Sequence, residues 1–447
     1  MKKEPNPSLT GLPRWRNETN EVAAMDSTQL IFLLIYLLTI LLSASDAVPL
    51  SVAALIGALL TGWFGLQYGV FTYDEALNFI DMRLIALIVG TLIVVEVAEK
   101  SGLFRFGALS AVKLSGGNPG RLFVAICVVS ALVSMFLSDP TAMLLIAAAT
   151  VTVTKFLNYD PVPYFISGAI MVNLGGTSTL IGSTSNMIIG VKAGITFTDF
   201  VAYLALCEIA LWGLTILTLY LLFRGRLGKK RELPSYSPWE SIENKKVFLR
   251  STVILVLLVL LFLVLGNLGV GPEAVALGCA ILALVLSGFD PADIFKRLDW
   301  ETVFFIAGFL FIVGGLEKTG ILSDISTQLL QVTGGSSLTT TLVTLWFSGA
   351  ASMIVSNMAV ALTFTPIISS FQGVNAAPIW SALILGTNFG GVTTPLSGSV
   401  SIMAIGALKR EGISMSFSEF TKVGLTTTLL QLGFSSLYLV GRFGLGV

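Results

Sequence analysis

Histidine is absent from the 447 residues, and charge is scarce: 26 basic and 26 acidic side chains amount to 12% of the chain. The first absence removes the commonest general base, zinc ligand and proton shuttle. The second removes a soluble surface, because soluble domains carry about 25% charged residues. Net charge is zero, so no acidic partner is implied and no nucleic-acid surface is expected. Cys127, Cys207 and Cys279 all lie in apolar runs, without a Cys-x-x-Cys or a pairing pattern, and read as small core residues. No Gly-x-Ser-x-Gly elbow and no phosphate-binding loop occurs. Chemistry would have to run on carboxylates and hydroxyls alone, and the expectation is a non-enzymatic protein.

Apolar length is abundant: apolar residues make up 54% of the chain. QLIFLLIYLLTILLSAS (29–45), LIALIVGTLIVV (84–95), FVAYLALCEIALWGLTILTLYLLF (200–223) and STVILVLLVLLFLVLG (251–266) carry almost no charge. About 20 such residues cross a ~30 Å hydrocarbon core. The fold class expected is all-α and integral to the cell membrane, crossing it many times with the lipid bilayer as its surroundings. Residues 1–27 differ. Lys2, Lys3, Arg14 and Arg16 alternate with Glu4, Glu18, Glu21 and Asp26, without the apolar core of a signal peptide. A disordered polar tail is expected there.

The chain also contains itself twice. DMRLIALIVGTLIVVEVAEKSG (81–102) aligns with DWETVFFIAGFLFIVGGLEKTG (299–320) at an offset of 218, with Asp81/Asp299, Gly90/Gly308, Glu99/Glu317, Lys100/Lys318 and Gly102/Gly320 among the identities. The same offset pairs Gly116-Gly117 with Gly334-Gly335 and SMFLSD (134–139) with SMIVSN (352–357). An offset of 215 pairs NLGG (173–176) with NFGG (388–391). The halves are 28–223 and 251–447. The linker 224–250 holds eight basic and three acidic residues, as the positive-inside rule expects of a cytoplasmic loop.

Each half reads as five spans plus one helical hairpin that enters and leaves on the same side. About ten transmembrane helices, two re-entrant hairpins and two broken helices result. The hairpin arms are 121–136 with 141–153, and 338–354 with 359–371. The broken spans are 161–193 and 376–406. An odd number of spans per half inverts the second repeat. Lys100, Arg105, Lys113, Arg121, Lys155, Lys296, Arg297, Lys409, Arg410 and Lys422 then share the linker's side.

Four polar interruptions fall into two pairs. The hairpin tips are LSDPT (137–141) and VSNMA (355–359); the breaks are NLGGTSTLIGSTSN (173–186) and NFGGVTTPLSGSVS (388–401). Irregular backbone at membrane depth survives only where protein or a water-filled cavity satisfies it. In inverted repeats, discontinuous helices place N-termini, suited to anions, and bare carbonyls, suited to sodium ions, around a midplane site. Hydroxyls and amides add oriented bonds without fixed charge. The candidate binding residues are therefore Ser138, Asp139 and Thr141; Asn173, Gly175, Gly176, Thr177, Ser178, Thr179, Ser183, Thr184, Ser185 and Asn186; Ser356 and Asn357; and Asn388, Gly390, Gly391, Thr393, Thr394, Pro395 and Ser397. The half-helices should bring Thr177, Ser178, Thr179 and Asn186 near Thr393, Thr394 and Ser397. Asp139 is a costly carboxylate at membrane depth, read as a proton carrier or as a sodium ligand grouped with Ser138, Ser356 and Asn357. Its alternative role is to cap the following helix ahead of Pro140. Glu96 and Glu208 also lie in apolar runs, as lesser candidates for a proton path.

These tips and breaks resemble the ion-transporter superfamily of arsenite pumps, NhaD-type sodium/proton antiporters, the pink-eyed dilution protein and divalent-anion/sodium symporters. The resemblance spans about residues 28 to 440 and is most specific at 173–186 and 394–424. It implies a homodimeric secondary transporter with a scaffold and a moving transport domain, whose tips and breaks hold substrate and coupling ion. The implied cargo is a small anion or metalloid oxyanion (arsenite-like, sulfate-like or carboxylate), coupled to Na⁺ or H⁺ with no other cofactor. A Na⁺/H⁺ antiporter is the alternative. An arsenite-pump likeness would add a separate ATPase subunit, since the chain has no ATP-binding segment. The motifs depart from each subgroup. The symporters carry Ser-Asn-Thr at both tips, against Ser138-Asp139-Pro140 and Ser356-Asn357-Met358 here. Arsenite pumps share the Asp at the first tip and Asn-Met at the second. The symporters' Pro-Pro-Asn break is Thr184-Ser185-Asn186, matching only at Asn186.

The topology makes a labelling prediction. Cysteines introduced at Ser237 and Ser414 should react with an impermeant maleimide only from the cytoplasm, and one at Ser336 only from outside. Labelling of Ser237 and Ser336 from the same face would remove the inverted arrangement.

Overall fold

The computed structural model describes residues 26–44, 48–232, 237–371, 375–395, 397, 399–410, 413 and 415–444. All but Asp26 and Ser27 of the expected N-terminal tail lies outside them, as does Ser414. Among the described residues there are twenty α-helices and no strand.

Their order is itself repeated. The first half runs α1 (Ser27–Ala44), α2 (Leu50–Gln67), a short α3 (Tyr73–Leu77), α4 (Met82–Lys100), α5 (Leu103–Ser115), α6 (Pro119–Ser134), α7 (Asp139–Leu157), α8 (Pro161–Thr177), α9 (Thr184–Ala193) and α10 (Phe197–Phe223). The second half follows with α11 (Lys245–Leu265), α12 (Pro272–Ser287), a short α13 (Pro291–Arg297), α14 (Trp300–Lys318), α15 (Ile321–Val332), α16 (Ser337–Ser352), α17 (Asn357–Ser369), α18 (Ala376–Gly390), α19 (Ser399–Arg410) and α20 (Phe417–Leu439).

The identities between the halves mark helix ends. Asp81 and Asp299 cap α4 and α14: Asp81 Oδ1 accepts from Arg83 N at 2.9 Å and Asp299 Oδ1 from Thr302 N at 3.0 Å. Gly102 and Gly320, at φ 87° and 82°, turn α4 into α5 and α14 into α15. That left-handed region is free of strain only for glycine.

Several helices pack across the halves in matched pairs. Helix α2 lies on α14 and α12 on α4; α7 lies on α19 and α17 on α9; α8 meets α18, and α10 meets α20. The pairing is reciprocal between the halves. Gly90 and Gly308 sit at the clasp. A Cβ at Gly90 would come within 2.8 Å of the Ala276 backbone, and one at Gly308 within 2.9 Å of the Ala54 backbone. Small residues let helices approach this closely in lipid.

Helices α8 and α18 form the centre. Every residue from Val162 to Thr177 and from Pro378 to Gly390 is buried, so neither helix has a lipid-facing side. Helix α11 is peripheral: Leu249, Val253, Val256, Leu260 and Val264 line one exposed apolar stripe. Outside the bundle's core, Arg226 joins Asp160 at the start of α8 (2.6 Å) to Glu419 at the start of α20.

Six helices among the described residues are long and apolar enough to cross a membrane: α2, α7, α10, α11 extended to Leu268, α14, and α20 extended to Gly444. The sequence reading expected about ten full spans. Helices α8 and α18 stop at 17 and 15 residues because they break, and α4 carries Arg83, Glu96, Glu99 and Lys100. Helix α7, expected as a short hairpin arm over 141–153, runs 19 residues to a left-handed cap at Asn158.

The clasp is testable through its glycines. Gly90→Val and Gly308→Val should each lower stability by about 1–3 kcal/mol through overpacking. Gly278 on α12 has nothing within 4 Å of a new Cβ. Gly278→Ala should therefore raise stability, by up to about 1 kcal/mol. Thermal unfolding in detergent reads all three.

Candidate functional site

The two hairpins and the two breaks converge at the centre. At the first tip the cap of α7 is Ser138, whose hydroxyl donates to Thr141 Oγ1 at 3.0 Å and accepts no capping bond from a backbone N–H. Asp139 is the first helical residue. Ser134 Oγ lies 3.5 Å from Oδ1, and the Asn357 side chain approaches the carboxylate. Asn357 opens α17 at the second tip, where Ser356 Oγ accepts from Ala359 N at 3.3 Å. The tips thus meet through residues at the same position of the two repeats.

The breaks close on the same point. A Cβ at Gly176 would stand 2.8 Å from Asp139 Oδ1. One at Gly391 would stand 3.4 Å from Asn173 Oδ1 and 4.0 Å from Asn357 Nδ2. One residue earlier, Gly175 and Gly390 allow tight crossing: a Cβ there would come within 2.2 Å of Ala131 O and 2.3 Å of Gly349 O.

An amide lattice joins the halves. Asn173 Nδ2 donates to Asn388 O at 2.8 Å, again between repeat mates. Asn388 Nδ2 donates to Asn186 Oδ1 at 2.8 Å, and Asn388 Oδ1 accepts from Ser185 Oγ at 3.1 Å. Asn186 Nδ2 faces the carbonyls of Gly176, Thr177 and Thr179 at 3.1, 3.4 and 2.8 Å. Those are carbonyls left open where α8 ends. Thr177 Oγ1 donates back to Asn173 O, Thr179 Oγ1 to Met135 O behind the first tip, and Ser183 bonds Ser185.

The second break uses other partners. Thr393 Oγ1 bonds Gly390 O and Thr428 of α20, and Ser397 Oγ closes a turn with Thr394 N and O around the buried Pro395. Among the described residues, hydrogen bonds between the two breaks run through Asn388. Burial separates two groups of candidates. Asn173, Thr177, Thr179, Ser185, Asn186, Asn388 and Thr393 are buried, whereas Ser138, Asp139, Thr141, Ser178, Thr184, Ser356, Asn357 and Thr394 are half-buried. The second group can meet a solute. Ser138 and Thr184 also line a cavity of about 20 Å³ with Thr91, Asp299 and Thr302, enough for one water-sized occupant.

Sequence reasoning missed Ser134, although the SMFLSD/SMIVSN identity with Ser352 signalled it. Ser352 Oγ donates to Thr387 O at 2.6 Å in the second repeat. It also missed the partners of Ser178. Ser178 Oγ lies 3.2 Å from Glu208 Oε2 and accepts from Trp212 Nε1 at 2.9 Å. Glu96 pairs with Arg297 at 3.8 Å.

Residues 34–386 match the family model described as citrate transporter, CitMHS. A 46 kDa membrane protein of Mycobacterium leprae is 30% identical over 92% of this chain and 98% of its own. An uncharacterized transporter of Mycobacterium bovis is 30% identical over 92% and 97%. The Alcanivorax borkumensis YdaH transporter superposes with a TM-score of 0.62 at 15% identity, covering 94% of this chain and 99% of that one. The chain belongs to the citrate transporter family, within the ion-transporter superfamily that its tips and breaks resemble, and is a non-enzymatic multi-pass membrane carrier.

The lattice predicts coupled losses. Asn186→Ala exposes buried carbonyls and Asn388→Ala strands the Asn186 oxygen, so each should cost about 1–3 kcal/mol. Because they share one bond, the double variant should fall short of the summed losses by about 0.5–3 kcal/mol. Additive losses in thermal unfolding would show that the two amides act separately.

Proposed function

We propose that this carrier is a secondary transporter moving a small anion, metalloid oxyanion or carboxylate, driven by Na⁺ or H⁺. One observation carries the reading: Asp139 and Asn357, repeat mates on half-buried hairpin tips, meet against Gly176 and Gly391. The N-terminal turns of α7 and α17 come together there through Asp139 and Asn357, and α9 packs on α17. Helix N-termini favour anions. The glycines let the tips and breaks approach closely, and the half-buried hydroxyls of Ser138, Thr184 and Ser356 can orient a solute. Asp139, with Ser138, Ser356 and Asn357, is the site for the coupling cation.

The exchange of packing partners and the side-to-side charge bias support two repeats inserted with opposite orientation. The tip-bearing pairs α6–α7 and α16–α17 are then re-entrant hairpins. Helices α6–α9 and α16–α19 form the mobile block, and α1–α4 with α11–α14 the scaffold, working as a homodimer in an elevator motion. The family description makes citrate the first carboxylate to try. A Na⁺/H⁺ antiporter is the second reading. It is favoured because Asp139 places a carboxylate at the junction, and a carboxylate repels an anion.

Uptake into proteoliposomes tests both. Citrate, arsenite, sulfate and phosphate are offered with and without a Na⁺ or pH gradient, and gradient-driven accumulation of at least one is expected. Asp139→Asn should abolish the driven component while insertion persists. Gly176→Ala should lower uptake roughly tenfold, the effect of about 1.4 kcal/mol, because its Cβ would displace Asp139. Gly391→Ala should cost less, its nearest atoms lying at 3.3–4.0 Å. No uptake of any anion, with proton release when Na⁺ is added to acid-loaded vesicles, would select the antiporter.

A further inference from the structure

Glu208 is the buried carboxylate that the junction does not use. It stands in the middle of α10, 2% exposed. Its Oε2 lies 3.2 Å from Ser178 Oγ, and Oε1 is buried with no hydrogen-bond partner among the described residues. The titratable groups around it bring no compensating charge. Cys207 is its neighbour on α10, and Tyr438 of α20 donates its hydroxyl to Tyr203 O. Arg442 follows at the end of α20, beyond Tyr438. Helix α8 offers Ser178 and carries no charged side chain. Arg121 of α6 starts that helix beside Tyr220, about 18 Å along α10 at 1.5 Å per residue. Helix α11 contacts α10 by its C-terminal end, away from Lys245, Lys246 and Arg250.

The hydrogen-bond inventory distinguishes the two states of the acid. Ser178 Oγ has one proton and two acceptor sites. Its neighbours are Leu174 O at 3.2 Å, Glu208 Oε2 and Trp212 Nε1. With Glu208 neutral, the acid and the indole both donate to Ser178, and Ser178 donates to Leu174 O, so every proton is used. With Glu208 ionised, Ser178 must turn its proton to the carboxylate, and Leu174 O in the last turn of α8 loses its side-chain donor. The buried charge then has a single hydrogen bond, which is costly in an apolar interior.

We propose that Glu208 is a proton-binding site whose occupancy is read by the first helix break through Ser178. The proton is taken from water and returned to water. Its departure redirects the Ser178 hydroxyl from α8 to α10. The reading of the protein as an ion-driven transporter gives this switch its use, but the protonation itself can be measured without transport.

Infrared difference spectra of the purified protein in liposomes, recorded from acid to alkaline pH, report a protonated carboxyl group by its C=O stretch. A band that bleaches with rising pH should vanish in Glu208→Gln and persist in Asp139→Asn. Ser178→Ala should shift its midpoint. If Glu208→Gln does not fold, Glu208→Asp keeps the acid and should move the band. A band unaffected by either Glu208 variant, or one that does not bleach at any pH where the protein is folded, overturns the proposal. In the uptake assay, Glu208→Gln should lower pH-gradient-driven accumulation of citrate or arsenite at least tenfold. Absence of uptake in the wild type would count against the transport reading and leave the infrared result standing.

Discussion

A helix interrupted in an apolar surrounding must find partners for its severed carbonyls, and the rest of this structure is arranged around that need. Each unsatisfied backbone group costs about several kcal/mol where water is excluded. Asn186 meets the carbonyls at the end of α8, Asn388 holds Asn186, and Asn173 closes the chain on Asn388 O. The three amides explain why the breaks carry asparagine and hydroxyl residues but no charge. An amide both gives and takes hydrogen bonds and does not need a counter-ion.

Close approach is the second constraint, and it follows from the first. The amides reach across the repeats only because α8 and α18 press onto α6 and α16 at Gly175 and Gly390. The same device recurs at Gly90 and Gly308, where α4 and α14 cross α12 and α2. One set of contacts holds α8 and α18 to the hairpin arms α6 and α16; the other holds α4 to α12 and α14 to α2.

Much of this was legible in the residues. The repeat identities fell on caps, left-handed turns and helix crossings, since those positions tolerate few substitutes in either copy. The broken spans read as 161–193 and 376–406 correspond to α8–α9 and α18–α19. The length of α7 was not legible, because polar Ser138–Thr141 and the threonines of its second half masked a continuous helix. Nor was the division of labour at the breaks. Nothing in NLGGTSTLIGSTSN distinguishes Asn186, whose side chain is engaged by protein on every atom, from half-buried Thr184 two residues earlier. Only the packing of Asn388 decides that. The Ser178–Glu208 contact joins residues 30 apart on different helices, and no local pattern announces it.

The approach of Asp139 to Asn357 has a consequence for how the two repeats differ. Residues that meet their own counterparts across the axis would, in an assembly of two identical halves, have been identical themselves. Two aspartates there would repel or be forced to share a proton, and two asparagines would carry no charge. Within a single chain that position is free of self-complementarity. A single negative charge can sit there beside a neutral amide, while Asn173 and Asn388 suit each other unchanged.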